Sequence, residues 1–304
     1  MNNLYVIIVT FNGEKWIERC LDSVYNSSVD TVPIIVDNGS TDNTLHVIKE
    51  KYPQTIILES GGNLGFGRAN NKGILYAIEK GAEYVYLLNQ DAWVESDVFE
   101  TLVNTHKQNK EYAILSPLQL TGDGTQLDRS FKMNSVCDMK CPRFLVDYEN
   151  HQMKNLYETT FVMAAHWLLY VPYLKDVGLF SPIFPHYGED SNLCHRFRYW
   201  KYKIGIVPNV RAYHDRQYRQ QTASQKIYLN YIKFLNQQNN PLRSSLFKKI
   251  NSFILFTIKN FRIRGVPFSY KMNTLKNGIL AIPKSAYYIK IYKKQISYDY
   301  FSEN

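Results

Sequence analysis

Residues 32–40 read Val-Pro-Ile-Ile-Val-Asp-Asn-Gly-Ser, a short apolar run that ends abruptly in polar residues. Similar apolar runs occur at residues 4–10, 55–58 and 84–88. Segments with apolar residues at helical spacing, such as 15–25 and 65–80, separate these runs, so strands alternate with helices. This alternation predicts an α/β fold with a mostly parallel sheet and helices on both faces.

The charge of the chain is unevenly distributed along its 304 residues. Of the 36 Lys+Arg and 27 Asp+Glu, 14 basic and 2 acidic residues lie in 226–304, a net charge of +12. Residues 1–225 therefore hold 22 basic and 25 acidic groups, a net charge of −3. We expect a main domain over residues 1–225 and a basic, mainly helical C-terminal extension over residues 226–304.

The composition favours a cytoplasmic globular protein. Apolar residues make up 45% of the chain and charged residues 21%. No run reaches the roughly 20 apolar residues that span a bilayer, and no basic leader precedes the first strand. The four scattered cysteines fit reduced thiols better than a disulfide framework.

Polar residues follow the ends of the predicted strands, where open α/β sheets bind ligands. Asp91 comes directly after the buried run 84–88, and a carboxylate there is costly unless it is paired or bound to a cation. Mg²⁺ or Mn²⁺ suits such a site, with a helix N-cap as the alternative. Asp37 also ends a strand, although Asp-Asn-Gly-Ser is equally typical of an Asx turn.

A glycine-rich segment, residues 61–67, follows the third predicted strand. It departs from the dinucleotide-binding fingerprint, because Asn70 stands where a third Gly or Ala is required. Gly65 and its neighbours either let the backbone approach a ligand or simply form the turn. Asn63 and Asn70 add hydrogen-bonding groups to this region.

Two later segments carry further candidates. Glu189-Asp190 begins a predicted helix after an aromatic run, which suits either a helix dipole or a general base whose pKa is raised. His214 follows a strand predicted to end at Pro208, and it is either structural or a further metal ligand. His166-Trp167 lies in an apolar run and either faces the same cleft or packs in the core.

Taken together, four segments in this order resemble the family 2 glycosyltransferases, with the bacterial rhamnosyltransferase-like subgroup as the nearest match. They are residues 4–44, 62–70, 87–91 and 189–196. The resemblance implies a GT-A fold and an inverting transfer from a nucleotide-diphosphate sugar. The acceptor would be a hydroxyl of a glycan or of a polyprenyl-linked glycan, in bacterial surface polysaccharide synthesis.

The resemblance also implies a role for each candidate residue. Asp190 would be the catalytic base, and Asp91 with His214 would hold the divalent cation, although Asn89 replaces the first Asp of the family's Asp-x-Asp motif. The acceptor side would include Glu189, His166 and Trp167. Asp37 would bind the nucleobase, and the other residues on the nucleotide sugar would be Thr10, Asn12, Asn63, Gly65, Asn70, Asn89 and Gln90.

The C-terminal extension has an apolar face at helical spacing, from Leu246 to Phe261, with lysines opposite. Such a helix favours contact with an anionic membrane. The alternative is a helical pair packed on the main domain with a solvated basic rim. Nucleic acid is a weaker candidate, because no nucleic-acid module accompanies the charge. The competing function is a non-catalytic protein that binds nucleotide sugars or nucleic acid through this extension.

Overall fold

A computed structural model describes residues 3–216, 220–243 and 245–294. Nine strands form one sheet in the described residues, with the order β3-β2-β1-β4-β8-β6-β9-β5, and β7 pairs with β9. The strands are β1 (Leu4–Thr10), β2 (Val32–Asp37), β3 (Ile56–Glu59), β4 (Tyr84–Asn89), β5 (Ala92–Val94), β6 (Tyr112–Thr121), β7 (Tyr157–Thr159), β8 (His166–Tyr170) and β9 (Lys203–His214).

Eleven helices accompany this sheet in the described residues. They are α1 (Ile17–Tyr25), α2 (Thr44–Lys51), α3 (Phe66–Glu79), α4 (Val98–Gln108), α5 (Arg129–Asn134), α6 (Phe144–Glu149), α7 (Val171–Val177), α8 (Glu189–Tyr199), α9 (Ala223–Gln238), α10 (Leu246–Arg262) and α11 (Phe268–Tyr292).

The sheet is mixed. Strands β1 to β4 are mutually parallel, as predicted. Strand β8 runs antiparallel to β4 and β6, and β5 and β7 run antiparallel to β9, while β6 and β9 are parallel. Antiparallel neighbours need no helical crossover, which fits a second half whose helices α5 and α6 are only 6 residues long.

Strand β9 continues past Pro208, where the sequence predicted its end. Its register with β6 shifts where Pro117 and Val207 are followed by Leu118 and Arg211. Pro208 therefore lies in a bulge, where its missing N–H interrupts no ladder hydrogen bond. This irregularity carries His214 to the end of the strand that borders the site.

Two apolar clusters cover the two faces of the sheet. Helix α3 packs on one face and helices α1 and α4 pack on the other. Gly73 lets α3 approach the sheet closely, because a Cβ there would lie 2.6 Å from the Cγ2 of Ile7. The helices on both faces thus hold the strand ends at fixed positions.

The C-terminal helices pack against the main domain. Tyr292 of α11 is fully buried in its core, and the Tyr292 hydroxyl donates to Ser181 Oγ at 2.7 Å. The predicted boundary at residue 225 falls in the first turn of α9, which begins at Ala223. Residues 244 and 295–304 of the predicted extension lie outside the described residues.

Candidate active site

A two-part cleft opens at the carboxyl ends of β1, β2 and β4. Its larger chamber has a volume of about 610 Å³, and its walls include Asn38, Asn63 and Asp91. The smaller chamber, of about 260 Å³, is lined by Glu189, Asp190, Arg216 and the loop 163–165. Both chambers are bordered by Phe66, Asn89 and His186, so they adjoin each other.

A network of amides forms one wall of the larger chamber. Asn38 Nδ2 donates to Asn63 Oδ1 at 3.1 Å, and the N–H of Leu64 donates to Asn38 Oδ1 at 2.7 Å. Gly65 has a φ of +79°, and a Cβ at that position would lie 2.7 Å from the carbonyl oxygen of Pro185. Gly65 is therefore required both for its backbone conformation and for a close approach.

Asp37, Thr10 and Asn12 brace the loops behind this wall. Asp37 is buried, and its carboxylate accepts from Thr10 Oγ1 at 3.0 Å and from the N–H groups of Gly39 and Ser40 at 3.1 and 3.0 Å. Asn12 Oδ1 accepts from the N–H of Thr41 at 2.8 Å. The Asx-turn alternative for Asp37 is thus present, and its contact with a nucleobase stays a prediction.

The segment after β4 holds a neighbouring loop in place. Gln90 Oε1 accepts from the N–H of Phe11 at 2.8 Å, and Gln90 Nε2 donates to the Phe11 carbonyl at 3.1 Å. Asn89 lines both chambers. Asn70 differs from its prediction: it is buried in α3, donates to the Phe66 carbonyl at 2.9 Å and is not among the residues that line either chamber.

Asp91, His214 and Arg216 form a chain of polar contacts beside the chambers. Asp91 Oδ1 lies 3.2 Å from His214 Nε2, and His214 Nδ1 lies 3.2 Å from Arg216 Nη2. A guanidinium only donates, so Nδ1 accepts and the ring proton lies on Nε2, facing Asp91. Burial acts to raise the pKa of Asp91, but the hydrogen bond and charge of His214, with Arg216, outweigh it and lower that pKa.

Asp91 and His214 are compatible with a divalent cation. The described residues contain no group of three or more His, Cys, Asp or Glu side chains arranged for a metal. Two neighbouring ligands of an octahedral Mg²⁺ or Mn²⁺ lie about 3 Å apart, which is close to the Asp91–His214 separation of 3.2 Å. Asp91 could supply one ligand, and His214 could supply a second through Nε2 with its ring proton moved to Nδ1 and the Arg216 guanidinium turned away from that atom. Substrate and water would supply the rest.

Burial raises the pKa of both carboxyl groups of the Glu189-Asp190 pair. The carboxylate of Asp190 accepts from the N–H of Ser191 at 2.6 Å, and its pKa is raised to about 6 by burial. Glu189 is only 4% exposed, and its Oε2 has no hydrogen-bond partner in the described part of the chain. Burial and then the charge of Asp190 raise the pKa of Glu189 to about 8. Of the two groups, Asp190 therefore ionises at the lower pH.

His166 and Trp167 were predicted on the acceptor side, and the structure places both in the core. Each is fully buried in β8, which lies between β4 and β6. Trp167 donates from Nε1 to the carbonyl of Val162 at 3.2 Å and stacks on Phe180. Their strand is covered on both edges, so the preceding loop, residues 163–165, lines the chamber instead.

Sequence reasoning missed Asn38 and Arg216. Asn38 follows Asp37 directly, and its side-chain amide connects the loop after β2 to residues 63 and 64. Arg216 lines the smaller chamber, and its Nε lies 3.5 Å from Asp128 Oδ2. The only sequence signal for Arg216 was its position two residues after His214.

A family model matches more than half of this chain. The model described as "Glycosyl transferase family 2" matches residues 5–178 of this chain. A hexosyltransferase of low-salt glycan biosynthesis from Haloferax volcanii, Agl10, is 25% identical over 87% of this chain and 83% of its own length. An N-acetylglucosaminyl-diphospho-decaprenol L-rhamnosyltransferase from Mycobacterium tuberculosis is 28% identical over 44% of this chain, and the match spans 46% of that enzyme.

Solved structures show the same fold at low sequence identity. TarS residues 1–349 of S. aureus, in complex with UDP, has a TM-score of 0.59 at 15% identity, covering 94% of this chain and 83% of that one. GalNAc-T7 with UDP, GalNAc and Mn²⁺ has a TM-score of 0.59 at 15% identity, covering 92% of this chain and 58% of that one.

Proposed function

The chain belongs to glycosyl transferase family 2 and has the GT-A fold, and from that premise we propose that it is an inverting hexosyl- or rhamnosyltransferase. It would move a sugar from a nucleotide-diphosphate sugar to a hydroxyl of a glycan or lipid-linked glycan. The observation that carries this proposal is the adjoining pair of chambers with the ionised carboxylate of Asp190 in the smaller one.

The larger chamber is assigned to the donor. A volume of about 610 Å³ lies in the range of small-molecule and cofactor sites. The Asn38–Asn63 network presents amide edges to it, and the segment 89–91 forms its far side. The sugar would then lie at the border of the two chambers, beside Phe66, Asn89 and His186.

Asp190 is assigned the role of general base. A pKa of about 6 leaves it ionised at neutral pH yet basic enough to take a proton from an acceptor hydroxyl. Neutral Glu189 beside it avoids a second charge in the smaller chamber. Inversion by one displacement needs only this one base, and a buried carboxylate tuned in this way favours catalysis over simple binding.

Asp91 and His214 are assigned to Mg²⁺ or Mn²⁺. When bound, the cation would neutralise negative charge on the leaving diphosphate. Arg216 holds the His214 ring from its Nδ1 side and adds positive charge next to the smaller chamber. A similar fold, that of GalNAc-T7, is described with Mn²⁺, which supports the assignment.

The relatives support the proposed substrates. TarS has been described with UDP and with UDP-GlcNAc, and the mycobacterial relative is named for transfer of L-rhamnose to N-acetylglucosaminyl-diphospho-decaprenol. We place this enzyme in the synthesis of a bacterial surface polysaccharide, with a glycan or polyprenyl-linked acceptor. Its site of action would be the cytoplasmic face of an anionic membrane, which the charge of +12 on residues 226–304 supports.

The test is turnover of a panel of nucleotide-diphosphate sugars by purified protein with and without Mn²⁺. The variants are Asp190→Asn and Asp91→Asn, and the matched control is Asp30→Asn, an exposed carboxylate before the amino end of β2, whereas the cleft lies at the carboxyl ends of the strands. We expect turnover to fall at least a hundredfold in the two site variants and to persist in the control. NMR of the product should show the inverted anomer. Normal turnover in both site variants, or retention at the anomeric carbon, would contradict the proposal.

A further inference from the structure

Helices α10 and α11 present apolar side chains to solvent. Of the 21 exposed large apolar residues among those described, 14 lie between residues 246 and 287. Phe247 is 78% exposed, Leu246 is 72% exposed and Ile250 is 51% exposed. The helical packing that the sequence offered as an alternative is present, since Ile289 and Tyr292 lie in the core of the main domain, but the outer apolar face of these helices is not covered by it. An exposed apolar surface of this extent marks an interaction site.

The inward sides of the same helices combine small and polar residues with a few large apolar ones, Phe256 on α10 and Ile289 and Tyr292 on α11. On α10 the buried residues are Ser252, Phe256 and Asn260, and on α11 they include Gly278, where a Cβ would lie 2.7 Å from a ring carbon of Phe256. Gln238 on α9 donates to Ser252 Oγ at 2.7 Å.

A helix in water usually turns its apolar face inward, whereas α10 and α11 carry apolar side chains on the outer side as well. Close contacts at small residues, with polar side chains bonded between helices, are typical of helices surrounded by lipid. The pattern therefore points to a non-aqueous environment on the outer side of α10 and α11.

The charge next to this face is entirely positive. The sequence from 226 to 294 contains 14 Lys+Arg and no Asp or Glu. A cavity of about 300 Å³ beside the exposed Leu255 is lined by Arg243, Lys248 and Lys249, and its other lining residues are uncharged. Burial and the charge of Lys293 lower the pKa of Lys249, so the positive charges here repel one another.

We propose that the outer face of α10 and α11 is embedded in one leaflet of an anionic membrane, with the cavity cations at lipid phosphates. This inference deepens the membrane location given under the proposed function and rests on it. In the described residues no helix is both long and apolar enough to cross a bilayer. The charge disfavours a second copy as occupant, since two such faces would bring like charges together.

The test is flotation of the full-length protein with vesicles of phosphatidylcholine alone or mixed equally with phosphatidylglycerol. We expect binding to the anionic vesicles at 0.1 M NaCl, with a fraction retained at 1 M, because salt screens charge but does not weaken apolar insertion. Binding that vanishes at 1 M NaCl, or no binding at all, would overturn the embedded mode.

Two triple variants separate the apolar and the charged contributions. Phe247→Gln with Ile250→Gln and Ile254→Gln should lower binding at least tenfold at both salt concentrations. Arg243→Gln with Lys248→Gln and Lys249→Gln should lower binding at 0.1 M NaCl only. If the apolar triple variant binds as the wild type does, the proposal is wrong.

The matched control replaces exposed apolar residues elsewhere: Met133→Gln, Met139→Gln and Val146→Gln. These changes should leave vesicle binding intact. Sedimentation in the absence of lipid tests the competing occupant, since a dimer that the apolar triple variant dissociates would assign the face to a second copy. Vesicle binding needs no donor sugar, whereas the proposed reaction is measured by donor turnover in the same variants. Loss of membrane binding can therefore be distinguished from failure of the proposed reaction.

Discussion

Raising the pH should destabilise the folded protein through Glu189. Its pKa is about 8 in the folded state against an ordinary value of 4.5. A carboxyl group whose pKa is raised on folding contributes stability below its unfolded pKa, and that contribution is lost as the pH rises through the folded pKa. With about 1.4 kcal/mol per pKa unit, the shift corresponds to roughly 5 kcal/mol once Glu189 is ionised, an upper bound if water enters the chamber.

Glu189→Gln removes this titration while keeping the shape of the neutral side chain. We expect the variant and the wild type to have similar free energies of unfolding in urea at pH 4.5. The advantage of the variant should then grow with pH by up to about 1.4 kcal/mol per unit between pH 5 and 8 and level off above. The matched control is Glu149→Gln, at an exposed position at the end of α6, whose difference from the wild type should not change with pH.

The charged and titratable groups around Glu189 sharpen this test. Asp190 ionises at a lower pH than Glu189, and Arg216 lines the same chamber. The charge of Glu189 also acts on Tyr228 of α9, whose pKa it raises. In an Asp190→Asn background, the stability advantage of Glu189→Gln should increase less with pH. The reason is that the charge of Asp190 is the second cause of the raised pKa of Glu189. A stability difference between Glu189→Gln and wild type that stays constant from pH 4.5 to 9 would refute the burial argument.

Three further predictions concern activity and the supports of the site. First, kcat/KM should fall tenfold per pH unit below about pH 6, as Asp190 becomes protonated, and a flat profile from pH 5 to 7 would exclude it as the base. Second, Gly65→Ala should lower the free energy of unfolding in urea by ~1–3 kcal/mol and raise the KM for the donor. The added Cβ would strain a backbone with positive φ and crowd the Pro185 carbonyl. In the control Gly62→Ala the Cβ meets open space, so neither effect is expected. Third, Arg196→Gln should cost ~2–5 kcal/mol, because it leaves two buried backbone carbonyls without the guanidinium that donates to them, and a cost under 1 kcal/mol would contradict that role.

The sequence predicted the first four strands and the helices between them because their apolar runs are continuous and the connections short. It did not predict that β9 continues past Pro208, since a bulge depends on the partner strand β6. The antiparallel insertion of β8 between β4 and β6 was equally invisible, because strand order is a tertiary property. That insertion is also the reason that His166 and Trp167 are in the core.

Site residues near strand ends were easier to predict than their exact contacts. Asp91 and His214 are in contact although 123 positions separate them, and both were predicted as partners. The prediction for Asn70 was wrong because this residue lies one helical turn beyond the loop, inside α3. Its side chain donates to a carbonyl of its own helix. Arg216 was missed because its role depends on the tautomer of His214, which only the geometry reveals.

The uneven charge suggested two separable units, and the packing argues against separating them. Helix α8, which begins at Glu189-Asp190, also bears Arg196, whose guanidinium lies 5.0 Å from the ring of Tyr292. Trp200, the residue after that helix, donates to the Tyr292 carbonyl at 3.1 Å. Truncation at residue 225 would remove Tyr292 and open the core beneath α8, so lost activity would not report on membrane contact. Substitutions on the outer face of α10, such as Phe247→Gln, leave the packing of α8 intact. They can therefore separate the effect of membrane binding from the effect on the transfer reaction.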